Sequence, residues 1–174
     1  MNERWVQTYS GRKFTPLNPK IEDIDINDIA TALSRKCRYN GHCREFYSVA
    51  EHSVLMARYA PKWLRLAALL HDAGECYLTD MPGPIKSAFS DFVACEDAIM
   101  ELVAQKFGFM WPLPDEVKRM DRAMLSDEKE QIMAPTDHDW GLMAPALGIK
   151  LQLWTPKRAR AEFLMTFYEA GGKP

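Results

Sequence analysis

Long apolar runs are missing from this sequence. The longest lies near Leu66–Leu70, whereas a membrane-spanning helix needs about 20 such residues. The opening Met1-Asn2-Glu3-Arg4-Trp5 has no apolar core of a secretory leader. Cysteine is sparse as well. Cys37, Cys43, Cys76 and Cys95 form no Cys-x-x-Cys pair, which argues against a structural zinc site of the usual spacing. Reduced thiols in a cytoplasmic protein are the simplest expectation. Excess charge of one sign is also lacking: 22 Lys and Arg against 24 Asp and Glu leave −2. A protein that coats nucleic acid is usually basic, so no nucleic-acid partner is expected. A local grip on a small anion by two or three cations is compatible with this balance.

What is present suits one globular domain. At 174 residues, with 47% hydrophobic and 26% charged side chains, the chain can bury roughly 70% of its unfolded surface without metal or disulfide staples. No repeat, low-complexity tract or linker divides residues 1–174. Trp5–Tyr9 and Arg12–Thr15 flank Ser10-Gly11, a turn signal, and predict a short hairpin. Helical periodicity dominates afterwards. Ile26, Ile29, Ala30 and Leu33 predict a helix over 25–36. Ser48-Val49-Ala50-Glu51 reads as a capping box opening a helix that runs to Tyr59. Pro61 suits the first turn of a third helix, apolar nearly all round through Leu70 and therefore central. Ser90 caps a fourth that ends near Gly108, Pro114 opens a fifth that reaches Met133, and Thr155-Pro156 starts a last one that stops at Gly171-Gly172. Residues 135–154 read as an irregular excursion with a short strand at Lys150–Trp154. The fold class expected is all-α, a helical bundle with an N-terminal β hairpin.

His71-Asp72 is the informative pair, placed inside the most buried helix. Two unpaired ionisable groups there would cost several kcal/mol. A divalent ion removes that cost, since imidazole nitrogen and carboxylate oxygen both donate to it; taken alone, the pair better suits a core histidine bonded to backbone, and its companions tip the balance toward a metal. His52 shares an inward face with Val49 and Met56. Asp121 interrupts an apolar stripe of Val117, Met124 and Leu125. Glu75 follows His71 by four residues, one turn along the same face. Such groups on separate helices, pointing inward, are what a bundle-core metal site requires.

Ala50-Glu51-His52-Ser53, His71-Asp72-Ala73-Gly74-Glu75, Asp80-Met81-Pro82-Gly83-Pro84-Ile85-Lys86 and Val117-Lys118-Arg119-Met120-Asp121 together resemble the HD-domain phosphohydrolases. The likeness is strongest to the 5′-deoxynucleotidase branch and its phage-encoded relatives, which include dATP phosphohydrolases, and it runs from about Trp5 to Asp127. It implies that His52, His71, Asp72 and Asp121 bind one divalent metal and that Glu75 and Asp80 are catalytic carboxylates. It further implies that Arg38 and Lys86 contact phosphate and that Tyr39 presses on the sugar, where the branch usually has Trp. His42 is a further candidate for substrate contact. Other branches fit less well. Two-metal HD phosphodiesterases carry another His soon after His-Asp, guanosine tetraphosphate hydrolases carry Glu-Asp where this chain has Glu75-Cys76, and cyclic-di-GMP hydrolases have Lys in place of Glu75.

The resemblance therefore implies a metal-dependent phosphohydrolase of 2′-deoxynucleoside 5′-phosphates, with mono-, di- and triphosphates all open as substrates. A bound divalent ion lowers the pKa of its water from 15.7 toward about 7, Arg supplies a bidentate phosphate grip and Lys a point charge, and a carboxylate beside the water takes its proton. Two imidazoles and two carboxylates accept Co, Mn, Zn, Fe, Ni or Mg. The resemblance also implies a homo-oligomer. From a different class, a non-catalytic nucleotide-binding protein would keep the metal as a structural pin; an HD nuclease is disfavoured by the acidic balance. Lys157-Arg158-Ala159-Arg160 reads as a solvated face, and the ten methionines as core filler.

Overall fold

Ile26, Ile29, Ala30 and Leu33 do form one buried stripe, on helix α1, Ile26–Arg35. The computed structural model describes residues 4–174; the reading of Met1–Glu3 lies outside them. Asp25 caps α1 by accepting the Asn27 amide at 2.8 Å. Six further helices follow among the described residues: α2 Val49–Tyr59, α3 Arg65–Leu70, α4 Gly83–Lys86, α5 Ser90–Phe107, α6 Asp115–Ile132 and α7 Pro156–Glu169. The fold is mostly helical, with α1, α2, α3 and α7 packed on one another. None of the helices is long and apolar enough to cross a membrane.

The hairpin is present, with β1 Val6–Gln7 antiparallel to β2 Lys13–Phe14 and Val6 opposite Phe14. Two strands of this length are not stable alone. Asp28 of α1 holds the turn, accepting the Ser10 amide at 2.6 Å and its hydroxyl at 2.9 Å. Phe14 stacks on Tyr77 at 3.8 Å between ring centroids.

Three expectations are corrected. The third helix is shorter: Lys62–Leu64 is a 3-10 turn, Trp63 is exposed, and α3 ends at Leu70. His71 is thus the C-terminal cap of α3, and Glu75 lies in a separate 3-10 turn, Ala73–Cys76, rather than one helical turn on. The expected strand at Lys150–Trp154 does not form. Residues 157–160 are no plain solvated face either, since Arg160 donates to Thr31 at 2.8 Å and Asn27 at 3.2 Å, tying α7 to α1.

The reason for the missing strand is chemical. Asp127 accepts the amides of Leu147, Gly148 and Ile149 at 2.7–3.0 Å. Gln131 accepts from Leu151 at 3.0 Å. Glu51 accepts from Gln152, Leu153 and Trp154 at 2.6–2.8 Å. Side chains of α2 and α6 have taken the donors a partner strand would use. The capping box is accordingly half-formed: Ser48 accepts the Glu51 amide at 3.1 Å, while the Glu51 carboxylate serves the excursion. Glu51→Ala would orphan three amides and is expected to cost about 3 kcal/mol. Thermal unfolding should show a fall of about 6–12 °C.

Candidate metal centre

Four side chains from three helical segments meet at one point. His52 comes from the first turn of α2, His71 from the C-terminal cap of α3 with Asp72 directly after it, and Asp121 from α6. His52 Nε2 lies 3.3 Å from His71 Nε2 and 3.1 Å from Asp121 Oδ1. His71 Nε2 lies 3.1 Å from Asp72 Oδ2 and 3.7 Å from Asp121 Oδ1. His52 Nε2 and Asp72 Oδ2 are 4.0 Å apart. Donors about 2.1 Å from an ion sit about 3.0–3.5 Å from one another at octahedral or tetrahedral angles. His52, His71 and Asp72 therefore form a group that can hold a metal ion, and Asp121 faces the same point.

Both imidazoles are oriented from behind. His71 Nδ1–H donates to the Ala68 carbonyl at 2.8 Å, and His52 Nδ1–H donates to Glu128 Oε1 at 2.6 Å. Each ring's Nε2 is thereby left facing inward. This is the outer layer that fixes tautomer and basicity at metal-binding histidines. Burial opposes the charge on His71, yet Asp72 and Asp121 hold its pKa well above the ordinary value. Burial likewise opposes the Asp72 carboxylate, but His71 holds it at about 2. The Asp121 carboxyl, against the same burial, is held well below its usual range by His52 and His71. The two acids and two imidazoles compensate one another at close range.

Glu128 escaped the sequence reading. It is fully buried and binds three groups: His52, Arg38 Nη2 at 3.1 Å and the Tyr39 hydroxyl. Burial raises its pKa, but Arg38 and His52 bring it down to about 2. The only sequence signal was its place two α6 turns beyond Asp121, a spacing of seven that returns to the same face. Glu128→Gln keeps the shape but removes the charge shared by three donors. Metal affinity, read by calorimetric titration with Mn or Co, is expected to fall 10–100-fold.

The predicted substrate residues fare unequally. Arg38 reaches the cluster, with Nη1 3.6 Å from Asp72; its buried Nε has no hydrogen-bond partner among the described residues. Tyr39 is adjacent, on a turn where Tyr39 and Asn40 take left-handed φ of 55° and 51°. Non-glycine residues pay roughly 1–2 kcal/mol each for that conformation, here offset by the pairing of Arg38 and Tyr39 with Glu128. Glu75 is 4% exposed, and its Oε2 has no hydrogen-bond partner among the described residues. Burial pushes its carboxyl well above the usual range, with Asp72 and Asp80 adding like charge. Gly74 allows this turn to approach α5: a Cβ there would meet Met100 Cγ at 3.2 Å. Asp80 is half-buried and also raised, first by burial, with Asp72 opposing its charge and Arg38 and His52 favouring it. Lys86 is paired with Glu96 at 2.6 and 2.9 Å. His42 is exposed, and no hydrogen bond or ion pair links it to the cluster among the described residues.

Fold and site together define a mostly helical protein built around a His/Asp group able to hold a metal. The chain is 38% identical over an alignment of 184 residues to the uncharacterized protein RCAP_rcc00048 of Rhodobacter capsulatus, covering 94% of this chain and 93% of that protein. It is 35% identical over 139 residues to the uncharacterized protein YfdR of Escherichia coli K12, covering 80% of this chain and 78% of that protein. It belongs to the family of RCAP_rcc00048 and YfdR. No family model matches the sequence.

Proposed function

We propose that the chain is an HD-domain phosphohydrolase that releases phosphate from 2′-deoxynucleoside 5′-phosphates. The observation that carries this reading is the convergence of His52, His71, Asp72 and Asp121 beside the buried Glu75 carboxyl, whose Oε2 has no hydrogen-bond partner among the described residues. His52, His71, Asp72 and Asp121 would hold one divalent ion, which supplies charge neutralisation at a phosphoryl group and acidifies water. Arg38, held between Glu128 and Asp72, offers to a phosphate oxygen its Nε, which has no hydrogen-bond partner among the described residues. Glu75 and Asp80 handle the proton on the attacking and leaving sides; raised carboxyl pKa values bring such groups closer to working pH. Tyr39 stands beside Arg38 at the sugar position. Lys86, already neutralised by Glu96, contributes at longer range.

The test is phosphate release from the four dNMPs, the four dNTPs and their ribose counterparts, with Mn, Co, Zn, Fe, Ni or Mg. Turnover of deoxynucleotides with at least one of these ions, abolished by chelation, is the expected result. Tight metal binding with no turnover of any substrate would favour the structural-pin reading instead.

A further inference from the structure

Cys37 and Cys43 bracket the turn that carries Arg38 and Tyr39. Their Sγ atoms lie 3.4 Å apart, in van der Waals contact, and both residues are half-buried. The backbone on either side is anchored. Cys37 sits in an antiparallel bridge with Ser48, with Arg38 N bonded to Tyr47 O at 2.9 Å and Val49 N to Lys36 O at 3.1 Å. Arg44 N bonds to Ile132 O, the last residue of α6, at 2.8 Å. Between these anchors Tyr39, Asn40 and Gly41 all have positive φ. The chain thus reverses sharply and presents the two thiols to each other without help from a covalent bond.

We propose that Cys37 and Cys43 are a reversible disulfide site that closes a ring around Arg38 and Tyr39. A disulfide needs an S–S distance of about 2.0 Å, so side-chain rotation has little more than 1 Å to close. The chemistry balances as thiol–disulfide exchange. One thiolate attacks a low-molecular-weight disulfide, forming a mixed disulfide and releasing one small thiol. The other thiolate then displaces the second small thiol and forms the internal S–S bond. Both protein thiols lose their protons, and the two electrons leave with the small thiols. Among the described residues Cys76 and Cys95 have no such neighbour: Cys95 donates to the Pro16 carbonyl at 3.1 Å, and Cys76 is on the turn beside Glu75. The proposal does not depend on the hydrolase reading.

The experiment uses the full chain, incubated overnight with oxidised glutathione, alkylated with N-ethylmaleimide under denaturing conditions and digested with trypsin. Overnight exposure is needed because burial and the neighbouring Cys37 push the Cys43 thiol up to about 11, which slows exchange. Trypsin cuts after Lys36, Arg38 and Arg44, so the bond would join Cys37-Arg38 to Tyr39–Arg44. The expected result is that linked pair, with Cys76 and Cys95 alkylated, and a rise in melting temperature of about 5 °C that Cys43→Ser abolishes. Recovery of Cys37 and Cys43 alkylated, or each carrying its own glutathione, would overturn the proposal.

Discussion

Asp72→Asn is expected to weaken divalent metal binding by more than about 100-fold while leaving the fold intact. The amide keeps the size of the side chain but loses the anionic oxygen that lies 3.1 Å from His71 Nε2. Loss of an outer contact to a metal ligand already costs 10–100-fold, so loss of a direct ligand should cost more. Asp72 is at the rim rather than the centre of the core, with 19% of its side chain exposed, and no hydrophobic contact is lost. Thermal unfolding separates the two effects. Metal at about 100 times its dissociation constant adds about 2.7 kcal/mol to the native parent, a rise of about 5–11 °C for a chain of this size. The variant should melt close to the metal-free parent and show no such rise. An undiminished rise in the variant would remove Asp72 from the ligand set.

The starts of α1, α2 and α7 and the end of α5 were legible because local chemistry sets them. Asp25, Ser48 and Thr155 each accept an amide in the first turn of the helix they precede, and Gly108 ends α5 at φ 78°. His52, His71 and Asp121 were legible because ionisable residues on apolar stripes need partners. What stayed hidden depends on contacts between distant segments. Glu51 looked like half of a capping box, yet its partners are 101 to 103 residues away. Glu128 looked like any helix-surface acid until α6 packed its face against Arg38 and His52, 90 and 76 residues earlier. The end of α3 also involves the site: His71 keeps helical backbone angles and its ring donates to Ala68, and the chain leaves the helix at Asp72. Local periodicity continues the helix there, and only the site gives a reason to stop it. Lys86, matched by spacing alone, was placed beside Glu96 by the start of α5.

Glu75→Gln is expected to leave metal affinity within about two-fold of the parent and to reduce phosphate release by about 10²–10⁴-fold, the usual scale of positioned acid–base catalysis. The replacement is close in size and is well tolerated by the site, because Oε2 has no hydrogen bond to lose among the described residues. Charge is what changes. Glu75 stands near Asp72 and Asp80, whose negative charges raise its pKa after burial has done so. A buried carboxyl whose Oε2 has no partner among the described residues is costly to the fold, so its presence calls for a gain outside stability. Gln removes the capacity to exchange a proton while keeping the shape, and it relieves the burial and like-charge penalties. The variant should therefore be at least as stable as the parent in thermal unfolding while its turnover collapses. That combination separates a catalytic carboxylate from a structural one, whose loss would lower the melting temperature together with the activity. Turnover at the parent rate on both dNMPs and dNTPs would strip Glu75 of the catalytic role and leave Asp80 to carry it.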